Sequence, residues 1–401
     1  MQPMELLHKT LTKELPFIHK IRLNCLMDVC NTATQSHKLY LTGLGRNNLN
    51  KNKTGSNIQK VDRLLGNKHL HEERTSIYYT MSCWLIKNNL TPWIHIDWSC
   101  INAQTNLYIL RASLSAKGRS IVLYEECYLK EKENNHATHK LFLKNLKAFL
   151  PDSVKPIIVT DAGFRAPWFA EIIKLGWDFV GRLRNKNLIS MDDESIWQLS
   201  SIFFEQATEK AKYLGKGLLT EKGKVPAHFI LYKGKSKNRH DTNINKKISK
   251  SGNSIRHSKS NKEPWFLITT LSNVINEPNF AVNIYKQRMR IEENFRDSKC
   301  PYYGLGLAKS LTYTVERMGI LLLIGAIATF VSWLAGIITK DSGRASDFQA
   351  QSAKINSVLS IVFLGREALK KGLDVIEELF INAIRRLNQL ALNVKNEPFY
   401  E

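Results

Sequence analysis

Apolar residues recur at helical spacing through LTKELPFIHKIRLNCLMDVCNTA, which predicts helices near the start of the chain. LTGLGRNN carries a glycine turn and the start of a short helix. NIQKVDRLLGNKHLHEERTSIYYTMSCWLIK reads as two further helices broken at Gly66–Asn67. From about residue 91 the period shortens to two. TPWIHIDWS alternates, and NLYILRASL and RSIVLYEECYL follow it around a Lys117–Gly118 turn, predicting three strands in hairpin succession. HKLFLKNLKAFL predicts a helix, KPIIVTDAGF a buried strand ending at Asp161, PWFAEIIKLGW a helix and DFVGRLR another strand. Hairpins followed by alternating helix and strand predict an α/β sheet that mixes antiparallel and parallel pairing.

Residues 186–264 interrupt this alternation. Within them Gly234–Lys262 has no apolar periodicity and is rich in Lys, Arg, Asn and Ser, which predicts a mobile basic loop, either a solvated insertion or a nonspecific DNA clamp. The sheet resumes with PWFLITTL, and a helix over YKQRMRIEENFRDSK follows. Met318–Thr339 then runs without a charge. As a helix it would be about 33 Å long, enough to cross a bilayer core of roughly 30 Å. A helix apolar on every side is also what a large protein core contains, and flanking Arg317 and Lys340 give no orientation bias. A helical region closes the chain from about 352. The changes of texture divide it into 1–90, 91–185, 186–264, 265–340 and 341–401.

The chain has 401 residues, enough for more than one core, and its formal net charge is +22. That excess favours polyanionic partners, nucleic acid foremost, although ribosomes or anionic membranes would also attract it. Arg46, Lys51, Lys53, Lys60, Arg63, Lys68 and Arg74 make the first ninety residues basic, as in a helical DNA-binding module or any bundle with a wet face. The six cysteines make no C-x-x-C pair and predict reduced, mostly buried thiols of a cytosolic protein. Charged and apolar residues mix in the first twenty positions, which predicts no signal peptide.

Tyr285, Arg288, Glu292 and Lys299 have offsets of 0, 3, 7 and 14, which on one continuous helix fall within roughly 60° of one face. The stripe suits a carboxylate that holds metal beside groups that hold phosphate; it also suits a solvated face with i,i+4 charge pairs. Asp97 lies in an alternating apolar strand, where a buried carboxylate needs a metal, a cation or an exit to solvent. Asp161 closes the run PIIV, where open α/β sheets gather ligands, and Asp-Ala-Gly equally suits a turn. Together Asp97, Asp161 and Glu292 are enough oxygen ligands for two Mg²⁺ ions, with Mn²⁺ able to substitute. No Walker-type phosphate loop is present, so ATP is not implied. A noncatalytic basic DNA-binding or membrane-associated protein is the competing reading.

These strings together resemble the DDE transposases of bacterial insertion sequences that carry a YREK signature. The resemblance rests on RNNLNKNKT, IQKVDRLLGNKHLHEER, DWS at Asp97, LRASLSAKGRSIVLYE, DAGF at Asp161, KEPW at Trp265, YKQRMRIEENFRD and PYYGLGL, in matching order over nearly the whole chain. Residues 234–262 have no counterpart in it. The resemblance implies an RNase H-like mixed-sheet catalytic core with a β-rich insertion, preceded by a helical DNA-binding domain and followed by helices. It implies Asp97, Asp161 and Glu292 as the catalytic, metal-binding triad. It also implies Tyr285, Arg288 and Lys299 as phosphate-holding residues, with Trp265 stacked on a flipped base and Met289 filling the base's place. The expected activity is cut-and-paste transposition through a hairpin intermediate. The expected partners are element-end and target double-stranded DNA, within a homodimeric synaptic complex in the bacterial cytoplasm, with no membrane.

Overall fold

The computed structural model describes residues 1–48, 50–184, 187–191, 196–235, 263–350 and 359–396, with Ile248, Ser251, Gly252 and Ser254 between them. Most of the basic stretch 234–262 lies outside the described residues. The described chain is of mixed α/β class, consistent with an RNase H-like transposase core, and divides into two compact units. The first comprises Met1–Lys155 and Met289–Glu401, the second Pro156–Arg288.

Five helices open the chain: α1 (Pro3–Glu14), α2 (Lys20–Ser36), α3 (Leu41–Arg46), α4 (Thr54–Leu65) and α5 (Lys68–Ile86). The break at Gly66–Asn67 falls where the sequence places it, and the Asn67 side chain accepts from the Leu70 amide to start α5. Then come β1 (Trp93–Cys100), β2 (Leu107–Ala116) and β3 (Arg119–Leu129), an antiparallel meander turning at Lys117–Gly118, with φ of 76° at the glycine. Helix α6 (His136–Ala148) follows.

The second unit runs β4 (Ile157–Thr160), α7 (Ala166–Lys174), β5 (Asp178–Leu183), β6 (Leu188–Met191), β7 (Gln198–Leu199), β8 (Lys212–Leu219), β9 (Val225–Tyr232), β10 (Trp265–Thr269) and α8 (Asn279–Lys286). β4 and β5 pair in parallel across α7, and β5, β10, β9, β8, β6 and β7 continue as antiparallel neighbours. The described residues between 187 and 232 are thus strand-rich, which the resemblance implied and periodicity alone did not reveal.

The first unit resumes with α9 (Met289–Lys299), α10 (Val315–Asp341), α11 (Ile361–Lys370) and α12 (Glu377–Leu392). Every residue from Met318 to Thr339 is buried, against α2, α4, α5, α11, α12 and β3. The one described helix long and apolar enough to cross a membrane therefore has its surface taken up by protein. At about 25 cal/mol per Å² of apolar surface, such a helix is a leading source of the unit's stability. All six cysteines are free; Cys30 and Cys127 are buried and the other four are only half-buried, short of the burial expected.

α10 and α11 approach at two glycines. A Cβ on Gly365 would lie 1.8 Å from the Ser332 carbonyl oxygen, and one on Gly336 1.9 Å from that of Ile361. Backbone cannot rotate aside, so the helices would have to part. Gly365→Ala should lower the thermal midpoint of the full chain, with a cost of about 3 kcal/mol at the upper end of overpacking penalties. Midpoints equal within error in a thermal melt would contradict this packing.

Candidate active site

Arg111 is the hub of the first unit. It is 1% exposed, sits in the middle of β2 and pairs in register with Asp97 of β1, so both side chains leave the sheet on one face. Its Nε donates to Glu125 Oε2 at 2.7 Å, and its Nη1 to Asn294 Oδ1 at 2.6 Å and Ser298 Oγ at 3.2 Å. The Glu125 carboxylate also accepts from the Tyr78 hydroxyl at 3.1 Å. Asn294 Nδ2 donates to the Ser120 carbonyl at 3.0 Å, and Arg119 Nε donates to Asp297 Oδ2 at 3.0 Å. α9 is thereby tied down on β2 and β3 along its 294–298 edge.

This fastening sets the positions of Glu292 and Lys299. Lys299 reaches the end of β1, where its Nζ donates to Ser99 Oγ at 2.7 Å and the Cys100 carbonyl at 3.0 Å. Burial lowers the Lys299 pKa, with Arg111 adding to the effect and Cys100 and Asp97 opposing it. Glu292 lies seven residues earlier on nearly the same stripe and is exposed, while Asp97 is half-buried with Oδ1 accepting from the Trp98 amide at 2.9 Å.

The second unit carries Asp161, directly after β4. It is half-buried, and its Oδ1 accepts from the Gly163 amide at 2.8 Å, the turn chemistry its sequence allows. Tyr285, 4% exposed, packs edge-on against Trp265 with ring centroids 4.9 Å apart, and Trp265 also meets Tyr232 at 5.6 Å. Burial pushes the Tyr285 phenol up; Arg288 and Arg182 oppose this and Asp161 adds to it. The phenol therefore stays protonated as a hydrogen-bonding group. Arg288 lies 5.9 Å from the Tyr285 ring centroid.

Two readings need correction. The stretch 285–299 is not one helix: α8 ends at Lys286, Gln287 and Arg288 form a turn, and α9 begins at Met289. The amides of Gln287 and Arg288 bond three residues back, to Ile284 and Tyr285, which tightens the backbone and ends the helical stripe. Tyr285 and Arg288 belong to the second unit, Glu292 and Lys299 to the first. Second, Arg182 went unnoticed. It lies on β5 beside Tyr285, to which it hydrogen-bonds, 3.8 Å from Glu263, and burial lowers its pKa. An arginine inside the apolar run FVGRL is the signal that could have found it. Met289 is 46% exposed at the start of α9, not packed away.

Among the described residues, no three His, Cys, Asp or Glu side chains gather at metal-holding distances. Asp97 and Glu292 belong to one unit and Asp161 to the other. Each of the three is a carboxylate that reaches solvent, the kind of oxygen donor a hard divalent cation takes together with waters.

The fold is of mixed α/β class in a strongly basic chain. The family described as Transposase DDE domain matches residues 126–329, and the chain belongs to that family. It is a DNA transposase, of a family that uses divalent metal ions on DNA. No curated protein matches the chain.

Next to Asp97, Trp98 Nε1 donates to His139 Nε2 at 3.0 Å, which requires a neutral imidazole. Burial, with His136 adding, lowers the His139 pKa from 6.5 to about 4. The unfolded state therefore binds more protons between these values, so stability is full above pH 6.5 and is lost as pH falls towards 4. The loss from this group should be on the order of 3 kcal/mol. His139→Gln keeps an acceptor without titrating, so denaturation midpoints measured from pH 7 to 4 should fall less steeply in that variant. Parallel slopes would contradict the assignment.

Proposed function

We propose that this chain is a cut-and-paste transposase of the YREK-bearing group, similar to the transposase of the tetracycline-resistance composite transposon. In this reading it binds the inverted-repeat ends of its element as a homodimer in a synaptic complex at the bacterial nucleoid. It nicks one strand, and the freed 3′-hydroxyl attacks the opposite strand to form a hairpin. Water opens the hairpin, and the 3′ ends are joined to target DNA. Asp97, Asp161 and Glu292 hold two Mg²⁺ ions. Bound there, the ions lower the pKa of the attacking hydroxyl and stabilise the departing oxygen. The observation that carries the proposal is the placement of Glu292 and Lys299 on a helix fastened by buried Arg111 beside Asp97, in a chain of this family.

The remaining residues have distinct tasks. Lys299, held at the end of β1, presents an ammonium to a phosphate beside the carboxylates. Arg288 offers a planar fork for another phosphate, with Tyr285 as its hydrogen-bonding neighbour. Trp265, only half-buried between Tyr232 and Tyr285, keeps part of its indole available to stack on an extruded base. That stacking is worth roughly 1–3 kcal/mol, comparable with the unstacking cost. Met289, exposed at the start of α9, can occupy the gap the base leaves.

Purified protein incubated with linear DNA carrying its own gene and flanks should make Mg²⁺-dependent breaks at the inverted-repeat borders. Glu292→Gln should reduce cleavage at least about a thousandfold, roughly 4 kcal/mol of transition-state stabilisation, while end binding persists. Cutting by the pure variant at the wild-type rate would overturn the assignment. Trp265→Ala should leave the first nick intact and slow hairpin formation roughly tenfold. An unchanged hairpin yield on a denaturing gel would remove Trp265 from that step.

A further inference from the structure

The segment after α9, CPYYGLGL, has no task in the proposed reaction, yet the fold holds its backbone with care. The Gly304 and Gly306 amides donate to the Cys300 carbonyl at 3.0 and 3.1 Å, and Leu305 donates to the Asp297 carbonyl at 2.9 Å. The Leu39 amide bonds back to the Leu305 carbonyl at 2.8 Å. Arg366, 1% exposed, donates from Nη1 to the Tyr303 carbonyl at 2.8 Å and from Nη2 to the Asp297 carbonyl at 3.3 Å. A Cβ on Gly304 would lie 2.4 Å from the Asp297 oxygen, so the loop is packed as tightly as backbone allows.

What this rigid loop presents is two aromatic side chains. Tyr302 is 86% exposed and Tyr303 70% exposed, the two most exposed among the described tyrosines. Burying a guanidinium to fix a loop is costly unless its hydrogen bonds are satisfied. Here Nη1 is spent on the carbonyl beside the exposed rings and Nη2 on that of Asp297, while the buried Nε finds no partner among the described residues. A tyrosine on a fixed backbone loses only two torsions on binding. Lys299 lies immediately before the loop, and the exposed cations Arg296 and Lys309 lie to either side of it in sequence.

We infer that Tyr302 and Tyr303 form a preset aromatic platform that stacks on unpaired DNA bases, with the neighbouring cations following the backbone of the same strand. Every base has a π face, so such a platform is tolerant of sequence. This rests on the transposase reading, in which strands at the cut part from one another. It assigns the unpaired strand to a surface of the first unit, whereas Trp265 belongs to the second.

The test uses the full chain in chelator, so that no cleavage contributes. Fluorescence anisotropy would measure binding to single-stranded dT20 and to a fully paired 20-base-pair duplex of arbitrary sequence. Tyr302→Ala with Tyr303→Ala should weaken dT20 binding about tenfold and leave duplex binding within about twofold, because stacking is worth roughly 1–3 kcal/mol per base. Tyr302→Phe with Tyr303→Phe should keep both affinities, since the ring is what stacks. Equal loss on both probes, no loss on dT20, or a Phe variant as weak as the Ala variant would each overturn the inference. So would a shift from dimer to monomer in light scattering of the Ala variant, which would make the rings a contact with a second copy. Metal-dependent border cleavage by the wild type is read separately, so failure of the transposase reading is distinguishable from failure of the platform.

Discussion

A guanidinium in an apolar interior has few tolerable surroundings, and Arg111 is surrounded on every side by groups that meet its demand. Glu125 balances its charge from the next strand, and Asn294 and Ser298 accept its remaining protons from α9. Phe295 lies under its plane at 4.6 Å. Removing one partner would leave a buried charge uncompensated, a cost of about 3–5 kcal/mol. The geometry of this cluster leaves α9 one register against the sheet. Glu292, Lys299 and the pinned loop beyond them inherit their positions from it.

The second unit solves a similar problem differently. Tyr285 is enclosed, with Trp265 against its ring and Arg182 and Arg288 around its hydroxyl, so positive charge is assembled around a neutral phenol instead of a carboxylate. Arg182 has Glu263 at 3.8 Å, and both guanidiniums flank the phenol. In the first unit the cation Arg111 is neutralised by Glu125 from the next strand; in the second, Arg182 meets both Glu263 and the neutral Tyr285 phenol.

Much of the fold was legible because local signals agreed with the tertiary outcome. The Gly66–Asn67 break, the Lys117–Gly118 turn and the end of β4 at Thr160 all follow from residues whose backbone or side-chain chemistry permits little else. The turn at Gln287–Arg288 was not legible: IYKQRMRIEE contains no glycine, proline or capping residue, and its helix propensity is unbroken. It is imposed by packing, with Tyr285 drawn into the second unit and Ile291 into the first. The strands between 188 and 232 escaped for a different reason, since KYLGKGLL is weakly apolar and mostly half-exposed. Of the site, each named side chain could be read as chemistry, but Arg111 and Arg182 could not, because their importance lies in partners distant in sequence.

The apolar helix α10 has a consequence for how the protein is made. Its burial requires α2, α4 and α5, which precede it, but also α11 and α12, which are translated after it. While the ribosome is still adding residues 342–392, about fifty residues, a segment with the length and hydropathy of a bilayer span stands beside a partly built core. During that interval the nascent chain offers the cell's membrane-targeting and chaperone machinery the same surface that a true span offers. The order of synthesis, more than the finished fold, sets the window in which this protein can be misdirected or lost to aggregation.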